Sequence, residues 1–430
     1  MQSWKRTMWI LWFGVLLCSA SYTMSVPFLP LFLFDLGVAE GSVNLWAGIV
    51  HSAAFFVGAI MAPLWGMLAD KFGKRKMVIR AGISIAVIYA LFAFVQTPWQ
   101  LVGARMLHGL VGGFVPASMS IVSAVAPKEK MGWSLGMMQA GTMTGGILGP
   151  LFGGLLAEAF GLRRSFVVAG IIILLATVAV ILWVKEKSAV GKDGSLELQH
   201  SSNKTGQEAQ RDAAAPKKAE PVTYRMAFRN KALLNMLLLL VLFQLSINMF
   251  QPLMTLHIAN LQGGLQGAVL SSGFVLSLIG IAGILASPVW GRLGEKKGQY
   301  QILIICLLAA GFIISMQYFV ENLWLFAVVQ FIFGLFMSGV VPIVNTLVVN
   351  STDEQFRGRS FGLTTSANQL GSMLGPLIGG LLGLAVGIHW IFIATGMMMA
   401  GAGAAIWLMR RRERVAKRVN IAAFDQPGMK

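Results

Sequence analysis

One nineteen-residue glycine pattern occurs twice in this chain, about half a chain length apart. The first copy starts at Gly136 and reads GMMQAGTMTGGILGPLFGG, and the second copy starts 226 positions later. The shared positions are Gly136, Gly145, Gly149, Pro150, Gly153 and Gly154 in the first copy, and Gly362, Gly371, Gly375, Pro376, Gly379 and Gly380 in the second. A repeat of this length and spacing predicts two similar halves.

Glycines four residues apart lie on one face of a helix, and here they continue from Gly141 to Gly153. Such a face lets a neighbouring helix approach backbone to backbone. Membrane helices rely on this close packing because lipid supplies no hydrophobic driving force between them. Pro150 removes one backbone donor and bends the helix, which neighbouring helices in a membrane bundle tolerate. We therefore expect the stripe to be a helix-contact surface.

Apolar runs long enough to cross a bilayer recur along the whole chain. Apolar residues make up 56% of the chain and charged residues only 12%, against about 25% charged in soluble proteins. We interpret the chain as an all-α polytopic membrane protein with twelve transmembrane helices. The predicted spans are 8–34, 42–66, 77–96, 98–125, 132–158 and 164–184, then 232–260, 265–290, 299–320, 322–350, 357–384 and 386–409.

The repeat divides these spans into two pseudo-symmetric six-helix halves. Pro27 corresponds to Pro252, and the PLWG sequence ending at Gly66 corresponds to PVWG ending at Gly291. We expect an N-terminal half at 1–184, a solvated linker at 185–230, a C-terminal half at 231–410 and a basic tail at 411–430. Because six spans per half preserve the topology, the repeat is parallel, which is the arrangement of the major facilitator fold.

Basic residues predict the orientation. With the N-terminus placed in the cytoplasm, 31 of the 34 Lys and Arg fall on the cytoplasmic side, where the positive-inside rule expects them. The same placement puts both termini and the linker in the cytoplasm, and the first helix is expected to be retained rather than cleaved. The net charge of +17 is spread over these loops, so we attribute it to anionic lipid and not to nucleic acid.

No pattern in the sequence predicts an enzyme or a bound cofactor. The five histidines are scattered, and we find no metalloprotease, nucleophile-elbow or phosphate-loop motif. Cys18 and Cys306 both lie in apolar runs and are expected to be buried rather than joined in a disulfide. We expect no metal site.

The segment between spans 2 and 3 reads GMLADKFGKR from Gly66 to Arg75. Gly66 and Gly73 are expected to form a tight reversal, and Asp70 to cap a helix start or pair with basic residues. The segment resembles the loop signature of the major facilitator superfamily. That resemblance implies a cytoplasmic latch made by Gly66, Asp70, Gly73 and Arg75; the alternative is a capped turn with a solvated basic face.

Arg105 is a charged residue inside a predicted span, and its equivalent in the second half is Gln330. A guanidinium inside a membrane is costly and usually marks a pathway. Its RMLHG sequence resembles an element of drug–proton antiporters. His108, one turn away, is a candidate for proton exchange or, equally, a hydrogen-bonded helix-contact residue.

The glycine pattern of span 5 resembles the signature of the twelve-span drug–proton antiporter family of the major facilitator superfamily, including its bacterial multidrug efflux transporters. The resemblance covers all twelve spans. It implies proton-driven export of small amphipathic drugs across a bacterial cytoplasmic membrane, with the proton gradient as the energy source. We expect a monomer in contact with membrane lipid. The alternative is a major facilitator carrier for a specific metabolite or sugar.

Proton coupling commonly needs a carboxylate whose proton affinity changes during transport. No acidic residue lies in the middle of a predicted span; Asp35 and Glu158 lie near span ends on the outer side. The coupling candidates are therefore Asp35, Arg105, His108 and Glu158.

The substrate cavity is expected between the halves near the midplane, lined chiefly by spans 1, 4, 7 and 10. Amides and aromatic rings there would suit varied hydrophobic drugs. The candidates are Tyr22, Gln139, Gln244, Asn248, Gln251, His257, Phe333, Asn345 and Asn368.

Overall fold

The computed structural model describes residues 3–127, 130–184, 231–350 and 357–424, so the predicted linker at 185–230 lies outside the described residues. Helices occupy the positions of all twelve predicted spans, and the described residues contain no strand. In the first half they are span 1 (Ser3–Met24 and Leu29–Asp35), span 2 (Glu40–Phe72), span 3 (Lys74–Phe92), span 4 (Pro98–Leu110 and Phe114–Val125), span 5 (Met131–Phe160) and span 6 (Leu162–Trp183). In the second half they are span 7 (Lys231–Phe250 and Met254–Gln262), span 8 (Ala268–Lys297), span 9 (Gln299–Met316), span 10 (Leu323–Met337 and Val340–Asn350), span 11 (Arg357–Ala385) and span 12 (Ile388–Phe424).

Within the described residues, ten of these stretches are long and apolar enough to cross a membrane. The two others are span 3, which begins with a basic cluster, and span 11, which is rich in glycine and hydroxyl residues. Both still occupy the positions that the repeat predicts. The fold is therefore an all-helical polytopic membrane protein.

The turn between spans 2 and 3 is shorter than the sequence predicts. Span 2 continues as helix to Phe72, so the expected reversal at Gly66 is wrong. The chain turns only at Gly73, whose φ of 96° lies in the left-handed region that glycine tolerates. Gly73 is also the N-cap residue of span 3; the side chain of Asp70 lies outside the described part of the structure, so its expected capping role stays a prediction.

Four helices are interrupted, in spans 1, 4, 7 and 10. Span 4 breaks before Gly113, where φ is 109°, and span 7 is interrupted by a 3₁₀ turn at Gln251–Leu253 that contains Pro252. In transporters, interrupted helices commonly lie near the binding site, where unwound backbone can face a cavity. These are the four spans that the sequence predicts to line the central cavity.

Two tryptophans in equivalent positions donate hydrogen bonds at the breaks in spans 4 and 10. The Trp65 indole Nε1 donates to the Leu110 carbonyl oxygen at 2.6 Å, and the Trp290 Nε1 donates to the Leu335 carbonyl oxygen at 2.6 Å. Both donor and acceptor positions in the second half lie 225 residues after those in the first. A helix end leaves carbonyl oxygens without intrahelical donors, and these indoles supply one. The PLWG and PVWG sequences therefore have a structural reason to recur.

The glycine stripe of span 5 lies against span 1. A Cβ added at Gly145 would overlap the backbone of Leu16, and one at Gly149 would overlap the Thr23 hydroxyl and the Ala20 backbone. In the second half, Gly371, Gly375 and Gly379 lie against the backbone of span 7 in the same way. Each stripe therefore packs two helices of one half together.

A different set of glycines lies between the halves. A Cβ at Gly48 of span 2 would overlap the carbonyl oxygen of Pro376, and one at Gly273 of span 8 would overlap that of Pro150. Gly48 and Gly273 are 225 positions apart and so are equivalent in the repeat. The halves thus meet through two equivalent helix pairs, span 2 with span 11 and span 5 with span 8.

Hydrogen bonds between described residues also join the halves. The Asn44 side-chain Nδ2 donates to the Gly383 carbonyl oxygen at 3.1 Å, and the Ser277 hydroxyl donates to the Ile147 carbonyl oxygen at 2.7 Å. Asn44 and Gly383 lie near the predicted outer ends of their helices. At the predicted cytoplasmic end of span 5, by contrast, a Cβ added at Gly136 would meet no atom within 4 Å. The close contact between the halves thus includes their predicted outer ends.

Candidate functional site

Arg105 lies in the first segment of span 4 and is 3% exposed. Its Nη2 donates to the Ser25 hydroxyl oxygen at 2.8 Å, and its guanidinium carbon lies 5.3 Å from the Phe92 ring centroid. Ser25 is presented by the interruption in span 1. The helix break therefore supplies a polar partner for a charge that the membrane interior would otherwise penalise.

Aromatic and imidazole rings surround this arginine. His108 is buried, and its ring centroid lies 5.3 Å from that of Tyr22 and 5.4 Å from that of Tyr89. The Tyr89 hydroxyl donates to the carbonyl oxygen of Ser21. Both tyrosines lie within electrostatic range of Arg105. We call Arg105, Ser25, His108, Tyr22 and Tyr89 the N-half polar cluster.

Carboxylates stand apart from this cluster. Among the described residues, none pairs with Arg105, and Asp35 and Glu158 are exposed near the predicted outer surface. Of the four coupling candidates, the structure therefore brings together Arg105 and His108 only. The Nδ1 of His108 has no hydrogen-bond partner in the described part of the chain. Imidazole and phenol hydroxyl groups are therefore the titratable groups beside Arg105 in the described part of the chain.

The equivalent place in the second half is neutral. Gln330 is fully buried, and its Nε2 donates to the Gln317 Oε1 at 3.0 Å. Gln317 is the repeat equivalent of Phe92, which lies beside Arg105. The fold therefore accepts an uncharged pair at this depth, so packing alone does not require Arg105.

A cavity of about 170 Å³ lies between spans 5, 7, 8 and 10. Among its lining residues are Ile147, Pro150, Phe250, Gln251, Gly280 and Phe333. Gln251 is the one polar side chain among the described lining residues, which are otherwise aliphatic, aromatic or glycine. The cavity suits an apolar group that carries one hydrogen-bonding atom.

Two of the predicted cavity residues, Gln251 and Phe333, line this cavity, and the others do not. Asn248 donates to the Gln244 carbonyl oxygen at 2.8 Å and to the Ser372 hydroxyl at 3.4 Å, so it joins span 7 to span 11. Gln139 is exposed on span 5. His257 is fully buried outside the cavity, Tyr22 belongs to the N-half polar cluster, and Asn345 and Asn368 are partly buried on spans 10 and 11.

The predicted latch residues lie at the inner ends of spans 2 and 3. Arg75 Nη2 donates to the Ile181 carbonyl oxygen of span 6 at 2.7 Å. The side chain of Asp70 lies outside the described part of the structure, as does the environment of Gly362. The latch therefore stays a prediction. Its arginine, Arg75, binds the end of a helix in its own half.

Sequence reasoning missed two of the glycines at the contact between the halves, Gly48 and Gly273. Neither belongs to the repeated glycine pattern, and only their separation of 225 positions links them. It also missed Phe250 and Ile147 on the cavity wall, since isolated apolar residues in an apolar span carry no distinguishing signal. Aligning the two halves residue by residue would have revealed the glycines.

Known proteins agree with this architecture. The family model described as Major Facilitator Superfamily matches residues 11–313 and 265–427. The chain therefore belongs to the major facilitator superfamily, a family of membrane transporters.

Its similar relatives include multidrug resistance proteins. Multidrug resistance protein MdtG of Escherichia fergusonii is 31% identical over 415 residues, covering 96% of both chains. MdtG of Salmonella paratyphi A is 30% identical over 416 residues, covering 96% of this chain and 98% of the relative. The fold also matches the crystal structure of a bacterial homolog of the human lysosomal transporter Spinster, inward-facing and unoccupied, with a TM-score of 0.73 at 14% identity over 96% of this chain and 98% of that chain. The chain is thus a major facilitator transporter that resembles multidrug resistance proteins along nearly its whole length.

Proposed function

We propose that this protein is a proton-coupled multidrug efflux transporter that exports small amphipathic compounds by alternating access of its two halves. The observation that carries the proposal is the similarity to multidrug resistance proteins across 96% of the chain. We further propose that it acts as a monomer in the bacterial cytoplasmic membrane, with both termini in the cytoplasm, as the distribution of basic residues predicts. The proton gradient supplies the energy, without a bound cofactor.

The cavity supports the substrate class. Its wall is apolar apart from Gln251, and Phe250 and Phe333 supply aromatic faces. Such a surface suits an apolar group with one hydrogen-bonding atom, and the cavity volume of about 170 Å³ holds part of a drug-sized molecule. Among the described lining residues none is acidic, so we expect neutral amphipathic compounds to bind without a requirement for positive charge.

The N-half polar cluster supports proton coupling. Arg105 is fixed by Ser25 at a helix break, and His108 lies among the tyrosine rings beside it. A buried guanidinium raises the cost of a second positive charge nearby and favours proton release when the cluster is closed. A conformation that opens the cluster to water lowers that cost. This difference is what proton-coupled alternating access needs.

The test uses inverted membrane vesicles that contain the protein and carry an inward proton gradient. Candidate drugs are added, and the loss of the gradient is followed for the parent protein and for Arg105→Ala, Asp35→Asn and Glu158→Gln. Drug-dependent proton leak that Arg105→Ala abolishes would support antiport through the cluster. Leak that only Asp35→Asn or Glu158→Gln abolishes would move coupling to the outer surface. Drug accumulation with no proton leak for any compound would overturn proton coupling.

A further inference from the structure

His257, on the second segment of span 7, is completely buried, and neither ring nitrogen has a hydrogen-bond partner within the described part of the chain. The ring centroids of Phe326 and Phe392 lie 4.9 Å and 4.8 Å from that of the imidazole. The exposed His389 lies 5.0 Å away, centroid to centroid. Buried polar groups without partners are uncommon because each costs free energy. The free-energy cost of burying this imidazole therefore indicates a role other than packing.

The first half fills the equivalent position without a titratable ring. Phe32 is the repeat equivalent of His257, and it is equally buried, with its ring centroid 5.7 Å from that of Phe166. Arg163 is the repeat equivalent of His389, and its guanidinium carbon lies 5.3 Å from the Phe32 ring centroid. A phenyl ring therefore satisfies the packing of this position in the same fold. The packing does not require His257 to be a histidine.

We propose that His257 and His389 form a proton-binding site in the C-terminal half, separate from the N-half polar cluster. Protons reach it from the predicted outer side through the exposed His389. Protonation of His257 favours the conformation in which the outer ends of the two halves separate. This proposal rests on the alternating access of the proposed function, but not on drug export or on Arg105.

The direction of the effect follows from burial. A proton added to His257 creates a positive charge and a further N–H donor in a space walled by Phe326 and Phe392, where no described group accepts the bond. Water that enters this space solvates the charge and accepts the hydrogen bond. The segment Met254–Gln262, which carries His257, packs on Leu29–Asp35 of the other half, so separation of the outer ends uncovers this segment. The protonated form therefore stabilises the open outer side.

Few other titratable groups surround this site. His389 is the one that faces His257 from span 12, and the Tyr318 ring lies 6.4 Å beyond it, centroid to centroid. Asp35 is exposed at the end of the segment that packs from span 1. The first segment of span 10 carries no charged residue, and span 8 carries charge only from Arg292 onward, at its opposite end. A pH response of the outer contact thus points to the histidine pair.

The experiment measures the distance between the outer ends of the halves as a function of pH. Spin labels are placed at Gly41→Cys and Gly264→Cys, two exposed positions where an added Cβ meets no atom within 4 Å. The background carries Cys18→Ala and Cys306→Ala, and distances are recorded by double electron–electron resonance in nanodiscs without drug or gradient. Lowering the pH from about 8 to about 5 should raise the longer-distance population roughly tenfold relative to the shorter one.

The decisive variant is His257→Phe, which installs the ring that the first half uses at Phe32 and so should fold. We expect it to lose the pH response, and His389→Gln to shift the pH of half-response. His200→Gln, in the predicted linker, is the matched control and should respond like the parent. If His257→Phe does not purify as a single species, His257→Gln replaces it.

If the distances in the parent protein do not change with pH, the proposal is wrong. The proposal is also wrong if His257→Phe keeps the full pH response of the distance or if His389→Gln leaves the pH of half-response unchanged. Loss of the pH response in His200→Gln would contradict it as well. Because no drug is present, each of these failures leaves the export proposal standing.

Discussion

Arg105 is a charged residue whose side chain is buried inside the bundle. Its described polar contact is a single hydrogen bond to Ser25, at 2.8 Å. Hydrogen bonds to charged groups contribute about 1.5–3 kcal/mol. The geometry of the N-half polar cluster therefore depends on a hydroxyl that the interrupted span 1 supplies.

We predict that Ser25→Ala slows drug transport by roughly tenfold, because the loss of about 1.5 kcal/mol or more leaves the guanidinium without its fixed orientation. Arg105→Ala should abolish transport, and Arg105→Lys should restore little because an ammonium cannot reproduce the planar fork. The initial rate of drug uptake into inverted vesicles measures this, with expression level as the reference. Wild-type rates in Arg105→Ala would remove the arginine from the mechanism.

A second prediction at this scale concerns Gln330, the neutral counterpart of Arg105. Gln330→Arg should destabilise the protein, because it buries an unpaired charge and breaks the hydrogen bond to Gln317. Gln330→Glu tests the same cost with the opposite sign of charge. A lower unfolding temperature of the purified variants is expected; unchanged thermal unfolding in both would show that this site is hydrated.

Individual residues were only partly predictable from the sequence. Arg105 is conspicuous because charges are rare inside membrane spans, and its local motif points to coupling. Its partner Ser25 is not conspicuous, since a serine in an apolar run becomes a partner only through the tertiary fold. The same limit applies to His257, which the sequence assigns to the substrate cavity and which the structure places in an aromatic enclosure.

At the scale of elements, the glycine stripe joins span 5 to span 1. Gly145→Leu and Gly149→Leu should destabilise the protein, because the new side chains would overlap the backbone of span 1. Overpacking in a well-packed core costs about 1–3 kcal/mol or more. Thermal unfolding in detergent measures the effect. Gly136→Leu is the matched control on the same helix, since an added Cβ there meets no atom within 4 Å.

The Gly136→Leu control distinguishes the effect of overlap with span 1 from the effect of replacing any glycine of the repeated pattern. If Gly136→Leu and Gly145→Leu lower the unfolding temperature equally, the stripe does not act through the helix contact described here. Membrane insertion, followed by a fused reporter, should be unchanged in all three variants.

The interrupted helices give a further prediction. Trp65→Phe and Trp290→Phe each remove the indole donor from a carbonyl oxygen at a helix break, and the loss of one such hydrogen bond costs about 0.5–1.5 kcal/mol. Both variants should unfold at lower temperature than the parent. Trp324→Phe is the control, because its side chain is 70% exposed. Equal unfolding temperatures for all three variants would contradict this role of the indoles.

The sequence predicted helical elements better than their interruptions. Span positions follow from long apolar runs, and Pro27 and Pro252 hint at breaks in spans 1 and 7. The break in span 4 depends on Gly113 adopting a positive φ, which a glycine among many glycines does not reveal. The end of span 2 was missed for a related reason: Gly66 lies within the helix, and only Gly73 turns the chain.

At the scale of the whole molecule, two equivalent helix pairs hold the halves together. Gly48 against Pro376 and Gly273 against Pro150 are related by the repeat, so both pairs can separate in the same way. The existence of two halves was readable from the glycine pattern. Which helices meet was not, because most glycines of the pattern pack helices within each half, and the contact between the halves combines Gly154 and Gly380 with glycines outside the pattern.

In the proposed transport cycle, the outer ends of the halves must separate. Asn44 and Gly383 make an outer contact across the halves, and a Cβ added at Gly383 would lie 3.3 Å from the Asn44 Cβ. The double variant Asn44→Cys, Gly383→Cys therefore brings two thiols within reach of a disulfide after a small adjustment.

The most direct measurement is drug transport by this double variant in proteoliposomes, before oxidation, after oxidation and after reduction, with each single variant as control. We predict that oxidation stops transport in the double variant only and that reduction restores it. A cross-linked protein that transports at the rate of the reduced one would contradict alternating access through this opening.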